Sequence, residues 1–176
     1  DENELHGVDK GSTIAVIGSA ETPVTMFLAQ LASVNTVSYV STGKPAKVIE
    51  QEAYITSHSD KRDKEIPEDL HIQDFRKERK GEDVSLTEYT RRATENVEEE
   101  DVLVIDSYTD VATNSKKEEF LQLSEQIYNK TDQKGGLTFL YFLSKDYSSL
   151  SNKEKSVISM CDAVLNFGLM KGSNIQ

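Results

Sequence analysis

Residues 13–25 read TIAVIGSAETPVT. Thr13 to Ile17 is a β-branched apolar run that ends at Gly18, and Thr25 follows seven residues later. Met26-Phe27-Leu28-Ala29-Gln30-Leu31-Ala32 then continues with helix-forming residues. This is the strand–loop–helix frame of a phosphate-binding loop, G-x-x-x-x-G-K-[ST]. Aligned on Gly18 and Thr25, the second glycine position holds Pro23 and the lysine position holds Val24. The lysine of such a loop places a charge on the β- and γ-phosphates, and its glycine lets amide groups close around them. Proline also contributes no amide hydrogen. The frame is present, and two of its working residues are not. Pro23 fixes its own φ and biases Thr22 away from helix, so the helix is expected to start at or just after Pro23.

Outward from this stretch, apolar runs alternate with helical patterns. Expected strands are Thr13–Ile17, Thr36–Ser41, Leu70–Phe75, Asp101–Asp106, Leu137–Leu143 and Ala163–Phe167. Val102-Leu103-Val104-Ile105 and Leu137 to Leu143 are continuous rather than alternating, which suits strands covered on both faces. Expected helices are Val24–Ser33, Ala46–Ala53 after Pro45, a helix opened by the capping box Ser85-Leu86-Thr87-Glu88 and reaching Glu99, Lys116–Thr131, and a helix opened by Ser151-Asn152-Lys153-Glu154 and reaching Met160. The order predicts an α/β domain with a mainly parallel sheet and Thr13–Ile17 at its centre. Residues 57–69 read as an exposed loop and 76–83 as a mixed-charge turn.

The chain has 176 residues and a formal charge of −11. That length suits one domain, 1–176. With Asp1 at its start the chain is expected to be an excised or processed piece, and Gly168–Gln176 reads as the start of a further hairpin cut short. The acidic surface repels nucleic-acid phosphate and anionic lipid, so a nucleic-acid partner is not expected. Arg76, Lys77, Arg79 and Lys80 form the only basic cluster, a solvated connector or, alternatively, a binding patch. No apolar run approaches the roughly 20 residues of a membrane span. A single cysteine, Cys161, permits no internal disulfide, and the expected compartment is the cytoplasm. Cys161 reads as a small buried hydrophobe. His6, His58 and His71 show no metal-ligand spacing.

A second motif is Val102-Leu103-Val104-Ile105-Asp106-Ser107, an apolar strand ending in Asp. It matches a Walker B strand, whose Asp holds Mg²⁺. With four segments in order, the chain resembles the RecA superfamily, and within it the KaiC-like ATPases. Leu5-His6-Gly7-Val8-Asp9-Lys10-Gly11-Ser12 is similar to the family's approach to its first strand, and the VLVIDS run to its Walker B strand. Leu137–Ser144 is similar to the next core strand, which ends on a polar sensor position. Met160-Cys161-Asp162-Ala163-Val164-Leu165 is similar to the late helix-to-strand segment. The resemblance implies a three-layer RecA-like P-loop fold. It implies a nucleotide site at Gly18, Ser19, Ala20, Glu21, Thr22 and Thr25, with Thr25 and Asp106 on Mg²⁺ if a nucleotide binds.

The departures narrow what the resemblance implies. The family's strand after the first helix ends in a glutamate that orients the attacking water. Here Val37–Thr42 runs into Gly43-Lys44-Pro45, with no carboxylate at that position. Lys44 is a candidate replacement for the missing loop lysine. The expectation is therefore a vestigial site without catalytic residues or cofactor, in a domain with a regulatory or architectural role, including one in signal transduction. It would act through a protein partner or through side-by-side packing of its own copies. Two alternatives stand beside it: a Mg-ATP-binding ATPase with an unorthodox loop, and a DNA-associated recombinase paralogue.

Overall fold

The computed structural model describes residues 8–56, 67–78, 84–99 and 101–168. His6, His58, Arg79 and Lys80, and the tail beyond Gly168, lie outside these residues. Six strands are described: β1 (Thr13–Gly18), β2 (Val37–Ser41), β3 (Leu70–Asp74), β4 (Val102–Asp106), β5 (Leu137–Leu143) and β6 (Ala163–Phe167). They form one sheet in the order β3-β2-β4-β5-β1-β6, and every neighbouring pair is parallel. β1 is interior but not central, because among the described strands only β6 lies beyond it; β4 and β5 hold the middle.

Among the described residues seven α-helices accompany the sheet: α1 (Val24–Gln30), α2 (Ala46–Thr56), α3 (Phe75–Glu78), α4 (Leu86–Glu95), α5 (Tyr108–Asn114), α6 (Lys117–Lys134) and α7 (Asn152–Ile158). Local chemistry sets most of their ends. The Ser85, Ser107 and Ser151 hydroxyls each accept an amide at the start of a helix, and Glu154 completes a reciprocal capping box with Ser151. Gly135 ends α6 with φ 69°, a left-handed cap that glycine adopts without Cβ strain. α4 stops at Glu95, short of the expected Glu99, and the buried Val97 follows in the connection to β4. Phe75 begins α3 rather than ending β3, because Asp74 turns the chain by accepting the Arg76 and Lys77 amides. α5 was not expected from the sequence, since Val111-Ala112 is too short a pattern to stand out.

Strand alternation sorts the core into two halves. Ile14, Val16, Val37, Tyr39, Val102, Val104, Phe139 and Tyr141 face α1 and α2, packed with Val24, Leu28 and Ile49. Ala15, Ile17, Val40, Leu103, Ile105, Leu140 and Phe142 face the other way, against Leu86, Tyr108, Phe120, Leu123, Ile127 and Val157 from α4 to α7. The result is three layers, helix–sheet–helix, with both faces covered over β1, β2, β4 and β5, while the edge strand β6 leaves Val164 and Leu165 exposed. The same alternation decides where Asp106 points. It shares the face of Val102 and Val104, so its carboxyl projects toward α1 at the C-terminal edge of the sheet.

Candidate functional site

Parallel strands bring their C-terminal ends to one edge, and ligands of open α/β sheets bind outside that edge. Here β1, β2, β4 and β5 deliver Gly18, Ser41, Asp106 and Leu143 to it. In register, Asp106 lies opposite Ser41 on one side and Tyr141 on the other. A cleft of about 290 Å³ opens there, and its walls include Thr22, Thr25, Lys44, Asp106, Asp110 and Tyr141.

The loop after β1 is closed on itself. The Thr22 amide donates to the Ser19 carbonyl at 3.0 Å, and the Thr22 hydroxyl donates to the same oxygen at 2.6 Å. The Gly18 carbonyl accepts from the Ser144 amide at 2.9 Å and from the Tyr141 hydroxyl at 3.2 Å. α1 begins at Val24, as Pro23 dictates, and the Phe27 amide bonds the Pro23 carbonyl. Val24, at the position of the loop lysine, is fully buried among the residues between the sheet and α1. A Cβ on Gly18 would stand 2.5 Å from the Val24 side chain and 2.7 Å from the Thr22 hydroxyl. Glycine is required here by close packing within the loop.

Thr25 and Asp106, expected together, meet. The Thr25 hydroxyl donates to Asp106 Oδ2 at 3.0 Å. The Tyr39 hydroxyl, two register positions back on β2, donates to the same oxygen at 2.6 Å. Burial first, then the Asp106 charge, pushes the Tyr39 phenol well above its ordinary range. The same two causes raise Tyr141 to about 12. Of the other loop residues named from the sequence, Ala20 and Thr22 line the cleft, whereas Ser19 turns its carbonyl inward and Glu21 is exposed outside it.

The turn after β2 supplies what the first loop lacks. The Ser41 hydroxyl donates to the Lys44 carbonyl at 2.6 Å and accepts the Lys44 amide at 3.1 Å, which folds Thr42 and Gly43 into a tight bend. The Thr42 amide bonds the Asp106 carbonyl at 2.7 Å, tying the bend to β4. Thus held, the Lys44 ammonium reaches Asp106 Oδ2 at 3.1 Å, donates to the Thr25 hydroxyl, and sits 5.5 Å from the centre of the Tyr141 ring. The Lys44 side chain is 39% exposed and Asp106 only 2%, so the pair has one wet and one dry partner.

Sequence reasoning missed Asp110. It lies on α5, its Oδ2 accepts the Thr42 hydroxyl at 2.7 Å, and a Cβ on Gly43 would stand 3.2 Å from it. β2 carries no carboxylate at its end, yet Asp110 of α5 and Glu52 of α2 both line the cleft. The available signal was Ser107 three residues before Asp110, a helix-capping spacing. Arg76 is committed elsewhere, donating to the Gly43 carbonyl at 3.0 Å. Among the described residues, no group of three His, Cys, Asp or Glu side chains converges as a metal centre. Cys161 is half-buried against the α4–α7 side of the core.

A family model matches residues 2–175, nearly the whole sequence. The chain belongs to the family of unknown function DUF7125. No functionally curated protein matches it. Among solved structures it is similar to a KaiC-like protein from the hyperthermophilic archaeon Pyrococcus horikoshii, with a TM-score of 0.65 and 18% identity over 97% of this chain and 77% of that one. At this identity the likeness speaks for architecture: this DUF7125 chain has the three-layer RecA-like α/β fold. No helix among its described residues is long and apolar enough to cross a membrane.

Proposed function

We propose that this chain is a non-catalytic RecA/KaiC-like domain whose role is regulatory or architectural and is exercised through protein contacts, with a place in signal transduction. One observation carries the reading. The loop that would cradle phosphate spends its Thr22 amide and hydroxyl on its own Ser19 carbonyl, and it buries Val24 where a lysine would serve. Mg-ATP fits these residues poorly. A divalent ion between Thr25 and Asp106 would meet the Lys44 ammonium, which already bonds both. Side-by-side packing with a second copy, or with a paralogue, is the expected mode of contact for a RecA-like domain that has lost turnover.

The competing reading, an ATPase with an unorthodox loop, draws support from Lys44 and Asp110 facing the same cleft, one a cation and the other a carboxylate. Calorimetric titration of the chain with Mg-ATP and Mg-ADP, with hydrolysis assayed on the same sample, separates the two. The expected outcome is no turnover above background. Turnover by the wild-type chain that Asp106→Asn abolishes would replace the non-catalytic reading with the ATPase one.

A further inference from the structure

Thr25 and Asp106 are the pair that holds Mg²⁺ in P-loop proteins. Both already bond a cation that belongs to the chain. The Lys44 ammonium donates to the Thr25 hydroxyl and lies 3.1 Å from Asp106 Oδ2. The seat is built, not incidental. The Ser41 hydroxyl clamps the Lys44 backbone on both its amide and its carbonyl, and the Tyr141 ring lies beside the ammonium. Asp106 is almost fully buried and takes its other two donors, Tyr39 and Thr25, on the same Oδ2. A lysine cation is compact and satisfies an oxygen pair as a point charge. A divalent ion on Thr25 and Asp106 would sit within one hydrogen-bond length of it, where like charges repel strongly.

We propose that Lys44 is a tethered cation that takes the place of the divalent metal at Thr25 and Asp106, so that a latent metal site lies beneath it. This rests on reading those two residues as the remnant of a metal–nucleotide site. Replacing the ammonium with an apolar side chain of similar length would vacate the seat and leave the carboxylate and the hydroxyl facing the cleft.

The test is Mn²⁺ binding to the full chain, followed by the loss of the free-ion electron paramagnetic resonance signal. Wild type, Lys44→Met, Lys44→Arg, Asp106→Asn and the double variant Lys44→Met with Asp106→Asn are compared. Lys44→Met is expected to gain one Mn²⁺ site about ten-fold tighter than the diffuse surface binding of the wild type. Lys44→Arg, which keeps the cation, should bind as the wild type does, and the double variant should lose the gained site. Lys44→Ala serves in the same way if Lys44→Met does not fold. An isotherm for Lys44→Met that superimposes on the wild type overturns the proposal. So does a wild-type chain whose Mn²⁺ binding is weakened by Asp106→Asn alone, since the metal would then already share the site with Lys44. Either result leaves the non-catalytic reading standing, because that reading falls only to ATP turnover by the wild-type chain.

Discussion

The loop after β1 and the turn after β2 meet at one cleft and differ in what they bring to it. The first, Gly18 to Thr25, closes its Thr22 amide and hydroxyl on its own Ser19 carbonyl and buries Val24. The second, Ser41 to Pro45, belongs to no phosphate motif, yet it carries an ammonium to the Thr25–Asp106 pair. The difference teaches that a charge in such a site is not owned by one loop. A parallel sheet gathers the ends of several strands, so a cation can enter from any neighbouring turn within a side chain's reach.

The sharpest way to break this comparison is to put the lysine back where the motif wants it. Val24 is fully buried against the Gly18 backbone, so Val24→Lys places an unpaired charge in the core. It should cost about 3–5 kcal/mol, read as a lowered urea midpoint. Survival with less than about 1 kcal/mol lost would mean that the loop opens easily and the site is less committed than its packing implies. Gly18→Ala tests the same closure by steric means. Its Cβ would crowd Val24 and Thr22, an overpacking expected to cost about 1–3 kcal/mol by the same measurement.

Lys44→Met should behave differently from either. Its side chain is more than a third exposed, so most of the Coulomb attraction to Asp106 is screened, and the loss should stay under about 1 kcal/mol. A much larger loss would make Lys44 a structural clamp rather than an occupant of the cleft. The smallest effect expected at neutral pH concerns Cys161, whose thiol burial pushes up from 9.0 to about 12, with Asp162 adding to the rise. A raised thiol pKa means the folded state favours the neutral form. Its contribution to stability is therefore fully present below pH 9.0 and is lost as pH rises through about 12, and Tyr141, raised from 10.0 to about 12, adds a loss of the same sign. Native Cys161 should accordingly be alkylated at pH 8 far more slowly than in urea, and the urea midpoint should fall from pH 9 upward. Equal alkylation rates in both states would refute the burial argument.

Much of the architecture was legible because it rests on periodicity and local chemistry. The continuous runs Val102–Ile105 and Leu137–Leu143 do become buried interior strands. Pro23 does start α1, and the Ser85 and Ser151 hydroxyls do cap α4 and α7, the second as a reciprocal capping box and the first as a simple N-cap whose Glu88 bonds Arg91 and Arg92 instead. α5 was invisible because seven residues hold only two turns of pattern, and its cap, Ser107, was read as the end of a strand motif. β1 was placed at the centre from the alternating strand–helix order and the continuous apolar runs, but strand order depends on crossovers that no local pattern encodes.

For the site, the sequence by itself determined which residue types were available: a Thr after the loop, an Asp at the end of β4, and no lysine or second glycine between Gly18 and Thr25. Those facts are one-dimensional, fixed by spacing along the chain. Only the tertiary structure decided that Lys44, Asp110 and Tyr39 join them, because each arrives from a different element through sheet register and side-chain alternation. Lys44 lies 62 residues from Asp106 along the chain and 3.1 Å away in the fold. That closure brings an ammonium into a cleft whose first loop carries no lysine.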